Sequence, residues 1–295
     1  MQTPWGEVAV GDAHIHFFSR RFFASLGEPA QVAGKLGWEL PGEDPAELAA
    51  KWVAELDAQG VARAALIASV PGDEASVVAA RAAYPERFLA YAMVNPLAEG
   101  AAVAEGLNAI SLFPAMHRYS VHDARVEPLL EQAQQRGCAV FVHCGVLTVG
   151  VRKKLGLASP FDMRFSNPIE LHGVAMRYPG VKFVIPHFGA GYLREALMVA
   201  DLCPNVYLDS SSSNSWMRYE GLDLRTVLRR ALDVAGASRV LFGSDSSFFP
   251  RGWVRGVFDD QVRVLSDLGV SAADARAILG GNLAELFGRA AGAGF

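Results

Sequence analysis

Residues 11–17 read Gly-Asp-Ala-His-Ile-His-Phe, directly after the alternating stretch Glu-Val-Ala-Val at 7–10. In a β-strand, residues i and i+2 point to the same face, so His14 and His16 could grip one ion together. The same spacing on an exposed edge strand would do nothing, and the pair alone leaves both readings open. The decision comes from what stands elsewhere along the chain.

Outward from this strand, short apolar runs alternate with helical segments. The stretch 44–60 predicts a helix, with Asp44 as N-cap, Pro45 at the first helical position, Glu47 as capping-box partner and Gly60 at its end. Further strands are expected at 61–68, 88–94, 108–113, 138–143, 181–187, 206–209 and 239–245. Helices are expected over 73–85, 126–137, 168–180, 194–202, 224–236 and 259–269, followed by a helical tail. Eight apolar strands, nearly all followed by a helix, imply a parallel sheet, and eight is the number that closes a barrel. The one low-complexity patch, Ser210–Ser213, falls within this array, and no linker rich in Pro, Gly or Ser divides the chain. The expectation is one α/β domain over residues 1–295, a (β/α)8 TIM-type barrel with a C-terminal helical extension.

The totals agree with a large core: 295 residues, 51% hydrophobic, and a mean hydropathy of +0.19. A net charge of -4 and no dense Lys/Arg run argue against a nucleic-acid or anionic-membrane partner. The three cysteines, Cys138, Cys144 and Cys203, form no CxxC pair, so neither a zinc knuckle nor a disulfide framework is suggested. The N-terminus shows no basic region leading an apolar stretch, and no run approaches membrane-spanning length. The expectation is a cytoplasmic protein acting on a small molecule, with homo-oligomerisation left open.

The carboxyl ends of the expected strands carry the chemistry. Strand one ends in His14 and His16, strand five in His143, strand six in His187 and strand eight in Asp245. In a barrel these ends converge on one face, where active sites are built. Four of the chain's seven histidines stand at three strand ends, and the HxH pair is therefore read as metal-binding.

Five stretches together carry a family resemblance: DAHIHF at 12–17, FVHCG at 141–145, VIPHFGAG at 184–191, LFGSDSSF at 241–248 and GGNLAELFG at 280–288. With them the chain resembles the amidohydrolase superfamily, in the amidohydrolase-related branch. That branch holds nonoxidative decarboxylases of the aminocarboxymuconate semialdehyde type and several lactonases. The resemblance implies one divalent ion, zinc before manganese, held by His14, His16, His143 and Asp245. It implies that His187 is not a principal ligand but touches the water on the ion. Binuclear relatives bridge two metals with a carbamylated Lys or a Glu at the end of strand four. Here that strand ends Ser111-Leu112-Phe113-Pro114 and offers no bridge, while Lys153 and Lys154 lie further on and read as solvated.

The catalytic assignment follows from the same residues: Asp245 binds the ion and takes a proton from water, and His187 holds the hydroxide or polarises a substrate oxygen. Hydrolysis of a lactone, amide or carboxylic acid derivative ranks first because it demands fewer unseen residues. The alternative is a carbon–carbon lyase, a decarboxylase of a small aromatic or unsaturated acid; a noncatalytic barrel ranks last, since structural zinc sites are closed and buried. His172 reads as structural, His117 and His122 as solvated loop residues, and Cys144 as a small core residue turned from the metal. Ser210–Ser213, Asn214 and Trp216 either line the pocket or form a polar loop. Arg20, Arg21, Arg118, Arg152, Arg164 and Arg251 fall in rim loops, none singled out for a substrate carboxylate. Phe17, Phe18, Phe22 and Phe23 either wall the pocket or pack the long loop to Asp44.

Overall fold

Ten strands form in the computed structural model, which describes residues 1–212 and 215–287. A small antiparallel hairpin, β1 (Gln2–Thr3) and β2 (Gly6–Glu7), precedes the main sheet. Then come β3 (Val10–Phe17), β4 (Val61–Ala68), β5 (Phe88–Met93), β6 (Ala109–Leu112), β7 (Ala139–Val142), β8 (Phe183–Ile185), β9 (Val206–Asp209) and β10 (Val240–Leu241). Strands β3 to β10 lie in sequence order, each parallel to the next, as short βα units with right-handed crossovers require.

The last expected strand is cut short for a physical reason. Only Val240 and Leu241 pair with β9; the residues after them bond to β3 instead. Phe242 O accepts from Ala13 N at 2.8 Å, Asp245 N donates to His14 O at 3.0 Å, and Ser246 O accepts from His16 N at 2.8 Å. These bonds close the barrel. Asp12, wholly buried, reinforces the seam: its Oδ1 accepts from His14 N and Ser244 N, and its Oδ2 from Trp253 Nε1 at 2.7 Å.

Side chains alternate as a pleated wall demands. On β4, Ala65 and Ile67 join the barrel interior, while Ala64, Leu66 and Ala68 pack outward with the surrounding helices. β3 breaks the rule. A register shift between Asp12 and Ile15 inserts a bulge, so that Ala13 belongs to the interior and His14 and His16 still face inward above it. At the base, Leu283 of the helix Asn282–Phe287 enters the interior cluster, and Phe287 lies 5.4 Å from the ring of Tyr91.

Asp44 caps the helix Pro45–Gln59 as expected, accepting from Ala46 N at 2.8 Å, and Gly60 ends it in the left-handed conformation. Among the short helices of the mouth loops that the sequence reading left out are Arg20–Ala24, Pro29–Leu36 and Gly150–Lys154. They meet in an apolar roof of Phe18, Phe22, Phe23, Val32, Val151 and Leu155. The expected C-terminal helical tail is helical at Ala272–Arg276, Ala277–Gly281 and Asn282–Phe287, while Ser213, Asn214 and residues 288–295 lie outside the described residues. Among the described residues, no helix is long and apolar enough to cross a membrane.

Candidate metal centre

The two histidines of β3 are held by partners that fix which nitrogen carries the proton. Asp209 Oδ2, at 2.6 Å from His14 Nδ1, has only lone pairs to offer, so His14 donates and its Nε2 is left with a lone pair. Ser69 gives its own proton to Ile67 O at 3.0 Å, so the 2.7 Å contact with His16 Nδ1 is donated by the histidine. The Nε2 of His16 therefore also carries a lone pair. Both Nε2 atoms converge on Asp245 Oδ1, at 3.9 Å and 3.4 Å, and the three donor atoms lie within 4.8 Å of one another.

His14 Nε2 is buried and has no hydrogen-bond partner. Three electron-pair donors facing one another without a proton between them fit a cation. The electrostatics point the same way. Burial opposes charge on His14, yet the carboxylates of Asp209, Asp245 and Asp12 outweigh it and raise its pKa. Burial would also raise the pKa of Asp245, but the imidazoles of His16, His187 and His14 gathered around it hold its carboxyl well below the usual range.

His187 stands beside this trio on an uncommon backbone. The chain leaves β8 through Pro186, and His187, Phe188, Gly189 and Ala190 all take positive φ, 56°, 52°, 83° and 42°. Non-glycine residues seldom adopt this conformation, and such strain gathers at functional sites. His187 Nδ1 lies 3.2 Å from the Ser211 carbonyl and 2.9 Å from Ser211 Oγ; the carbonyl can only accept, so Nδ1 donates. Its ring is 4.9 Å from that of His14 and 5.3 Å from that of His143. His143 stacks on Phe113, lies outside the compact trio, and buries an Nδ1 with no partner. Burial, then the neighbouring histidines, lowers the pKa of His143 far, and that of His187 to a lesser degree.

Two motif glycines make room for this packing. A Cβ on Gly243 would stand 2.7 Å from Asp209 Oδ1 and 2.9 Å from His14 Cβ. One on Gly145 would drive into the carbonyls of Gly189 and Ala190, in the turn that carries His187.

A family model described as Amidohydrolase matches residues 12–289. The chain belongs to that family. It is 35% identical to Protein fluG of Emericella nidulans over 85 residues, 29% of this chain but 10% of that protein, so it spans a small part of that relative's length. Among solved structures, it is similar to a putative 2-pyrone-4,6-dicarboxylic acid hydrolase from Pseudomonas putida, at a TM-score of 0.63 and 20% identity over 96% of this chain and 98% of that one. A 5-carboxyvanillate decarboxylase from Novosphingobium aromaticivorans, holding manganese and a nitrobenzoic acid, is similar at 0.60 and 15% over 96% and 98%. At such identities the likeness shows a shared fold, and the family makes the chain an enzyme.

In this member of the family the expected residues fall at the mouth together, where they line a cavity of about 730 Å³. Phe18 and Phe22 line it as a stacked pair 3.7 Å apart, Phe23 packs the roof, and Phe17 is core. Trp216 and Ser212 line it too, whereas Ser210 and Ser211 are buried beneath. Cys144 is buried away from the cavity, its thiol pushed up to about 12 by burial. His122 is exposed as expected, but His117 is not a plain solvated residue: it is half-buried over Tyr119, with an unpartnered Nδ1. Of the rim arginines singled out from the sequence, Arg251 alone lines the cavity.

Sequence reasoning passed over Asp209, Ser69, Asp12 and Arg218, and weighed Ser211 only as part of a pocket-lining or polar stretch. Asp209 had a usable signal, since it ends strand 206–209 as Asp245 ends the next expected one. The serines carry no local mark; only closure of the barrel brings them to the histidines.

Proposed function

We propose that the protein is a metal-dependent hydrolase that cleaves a C–O or C–N bond in a small lactone, amide or carboxylic acid derivative. One ion is held by His14, His16, His143 and Asp245. The observation that carries this reading is the convergence of two unprotonated Nε2 atoms and a carboxylate at the floor of the cavity. The orphaned Nδ1 of His143 supports it as the fourth ligand. Imidazole and carboxylate donors suit zinc first and manganese second. A divalent ion bound there supplies Lewis acidity, lowering the pKa of water and polarising a carbonyl.

The chain's own residues handle the protons. Asp245, with a side chain 34% exposed, can take a proton at the floor and return it to the leaving group. His187, kept neutral by burial and tied through Nδ1 to Ser211, presents its other nitrogen as an acceptor that orients water. The roof of Phe18, Phe22 and Val151 limits competing solvent.

A nonoxidative decarboxylase is the second reading, favoured by the likeness to the manganese-bound 5-carboxyvanillate decarboxylase. Two measurements test both. Elemental analysis should find about one divalent ion per chain, and two tightly held ions would defeat the mononuclear site. A panel of lactones, amides and unsaturated or aromatic acids should show incorporation of solvent oxygen. Carbon dioxide release without retained solvent oxygen would hand the reaction to the lyase.

A further inference from the structure

Large apolar side chains exposed to solvent are not spread evenly over the barrel. Among the described residues they are Met163, Ile169, Met176, Met198, Leu202 and Tyr219, between 41% and 63% exposed. All of them fall in the three crossovers after β7, β8 and β9. Single exposed apolar residues are ordinary, whereas a cluster on one flank marks a contact surface.

Four of the six stand on two outer helices, Glu170–Arg177 and Leu193–Leu202. Ile169, at the N-cap of the first, and Met176 are seven residues apart and share a face. Met198 and Leu202, four apart, share a face of the second. Successive crossovers of a parallel barrel lie side by side, and Cys203 Sγ, just past the second helix, donates to the His172 carbonyl of the first at 3.9 Å. Tyr219 adjoins the start of the second helix, since a Cβ on Gly191 would stand 3.6 Å from its ring.

The charges on this flank are self-complementary. Arg194, Met198 and Asp201 follow at i, i+4 and i+7, all exposed, so a cation and an anion flank one methionine along one face. Asp201 has no ion pair among the described residues. Arg194 pairs with its neighbour Glu195 at 2.6 Å, but its side chain is 80% exposed and such a contact holds it weakly. On the first helix the charges are taken: Glu170 accepts from Ser120 Oγ at 2.8 Å, and Arg177 donates to Glu127 at 2.7 Å.

We propose that this flank is the interface of a two-fold symmetric homodimer, with the helix Leu193–Leu202 lying antiparallel on its copy and Met198 at the axis. A two-fold interface must complement itself. Antiparallel pairing about Met198 sets Arg194 against the partner's Asp201 at both ends and gathers Met198, Leu202 and Met176 between them. A lipid surface would draw cations and offer nothing to Asp201. The opposed signs about one methionine are what a second copy requires. Ten helical residues make a stripe ~15 Å long, so the contact belongs to the small, weaker class of interfaces, with association in the micromolar range. Outer helices start at the mouth side, so the pairing points the two mouths in opposite directions and leaves each histidine cluster within one chain.

Sedimentation equilibrium of the full chain from about 1 to about 200 µM tests this. The mass should climb from 31.6 kDa toward twice that value. Met198→Glu, which sets two carboxylates together at the axis, should weaken the dimer by about 100-fold or more. Arg194→Asp or Asp201→Arg alone opposes like charges at both ends and should weaken it about tenfold. The double variant R194D/D201R restores both attractions and should recover the unchanged affinity within about threefold. Circular dichroism should match the unchanged protein in every variant, since all three positions are exposed.

A chain that stays monomeric to about 200 µM overturns the proposal, and cosedimentation of that monomer with phosphatidylcholine vesicles would hand the face to lipid. A dimer that survives Met198→Glu is built on another face and also overturns it. So does a double variant no tighter than its two single parents, because the antiparallel pairing is then wrong.

Discussion

At the base of the barrel, Ala65, Leu89, Phe141, Leu241 and Leu283 meet as interlocking apolar side chains, sealed from below by a helix. At the mouth, a few residues higher on the same strands, the interior carries His14, His143, His187 and Asp245, two of them on left-handed backbone. The base lowers free energy by removing apolar area from water. The mouth does the reverse: it gathers lone pairs, leaves buried nitrogens without partners, and holds a strained turn. One sheet therefore separates stability from chemistry along its own length, and substitutions at the two ends should be felt by different instruments.

The largest separation is expected for Asp245→Ala. Zinc content should drop from about one per chain toward none, and the hydrolytic rate on the best panel substrate should fall about 10³-fold. The urea midpoint of the metal-stripped variant should fall only modestly, since a carboxyl held below its usual pKa contributes some stability at neutral pH that its removal gives up. A midpoint that falls steeply would show that the mouth carries the fold as well.

Leu283→Ala is the mirror experiment. Leu283 is 2% exposed and fills the interior from below, so its truncation should cost about 2–5 kcal/mol in urea unfolding. Zinc stoichiometry should not change. Loss of zinc at a stability cost below that range would mean the two ends are coupled.

The same division explains what the sequence disclosed. All eight barrel strands were legible because each is an apolar run bounded by turn residues, and a run of that kind is a local property. The gathering of His14, His16, His143, His187 and Asp245 at one mouth was legible because strand ends converge in a barrel whatever the loops do. What stayed hidden depends on partners remote in sequence. The bulge between Asp12 and Ile15 exists only against β4, and the truncation of β10 follows from bonds between 242–246 and β3. The partner of His16, Ser69, lies 53 residues away, and that of His14, Asp209, lies 195 away. Arg218 and Lys153 reach the rim on loops whose course no periodicity predicts.

Asp209→Asn sharpens the comparison at the border between the two ends. The residue is wholly buried, and its charge both orients His14 and raises its basicity. An amide of the same size can present its NH2 to Nδ1 and impose the wrong tautomer. Zinc affinity, measured by competition with a chelator, should weaken about 10–100-fold, the usual effect of losing such a supporting carboxylate. An unchanged affinity would remove Asp209 from the metal site.

The smallest effect is expected at Asp44, which tests whether location at the mouth side is enough to affect the metal. In a βα barrel each outer helix that leads into a strand starts at the mouth side, so Asp44, capping Pro45–Gln59, begins there without facing the cavity. Its carboxylate satisfies one N–H that the helix leaves unpaired, that of Ala46 at 2.8 Å. The helix is anchored independently by Trp52 and Leu56, 1% and 0% exposed, so loss of the cap frays a first turn and leaves the packing in place. Asp44→Ala should therefore cost about 1 kcal/mol in urea unfolding. Zinc affinity and rate should match those of the unchanged protein. If this exposed substitution weakens zinc as Asp209→Asn does, the metal site senses the whole rim, and the separation between a stabilising base and a chemical mouth fails.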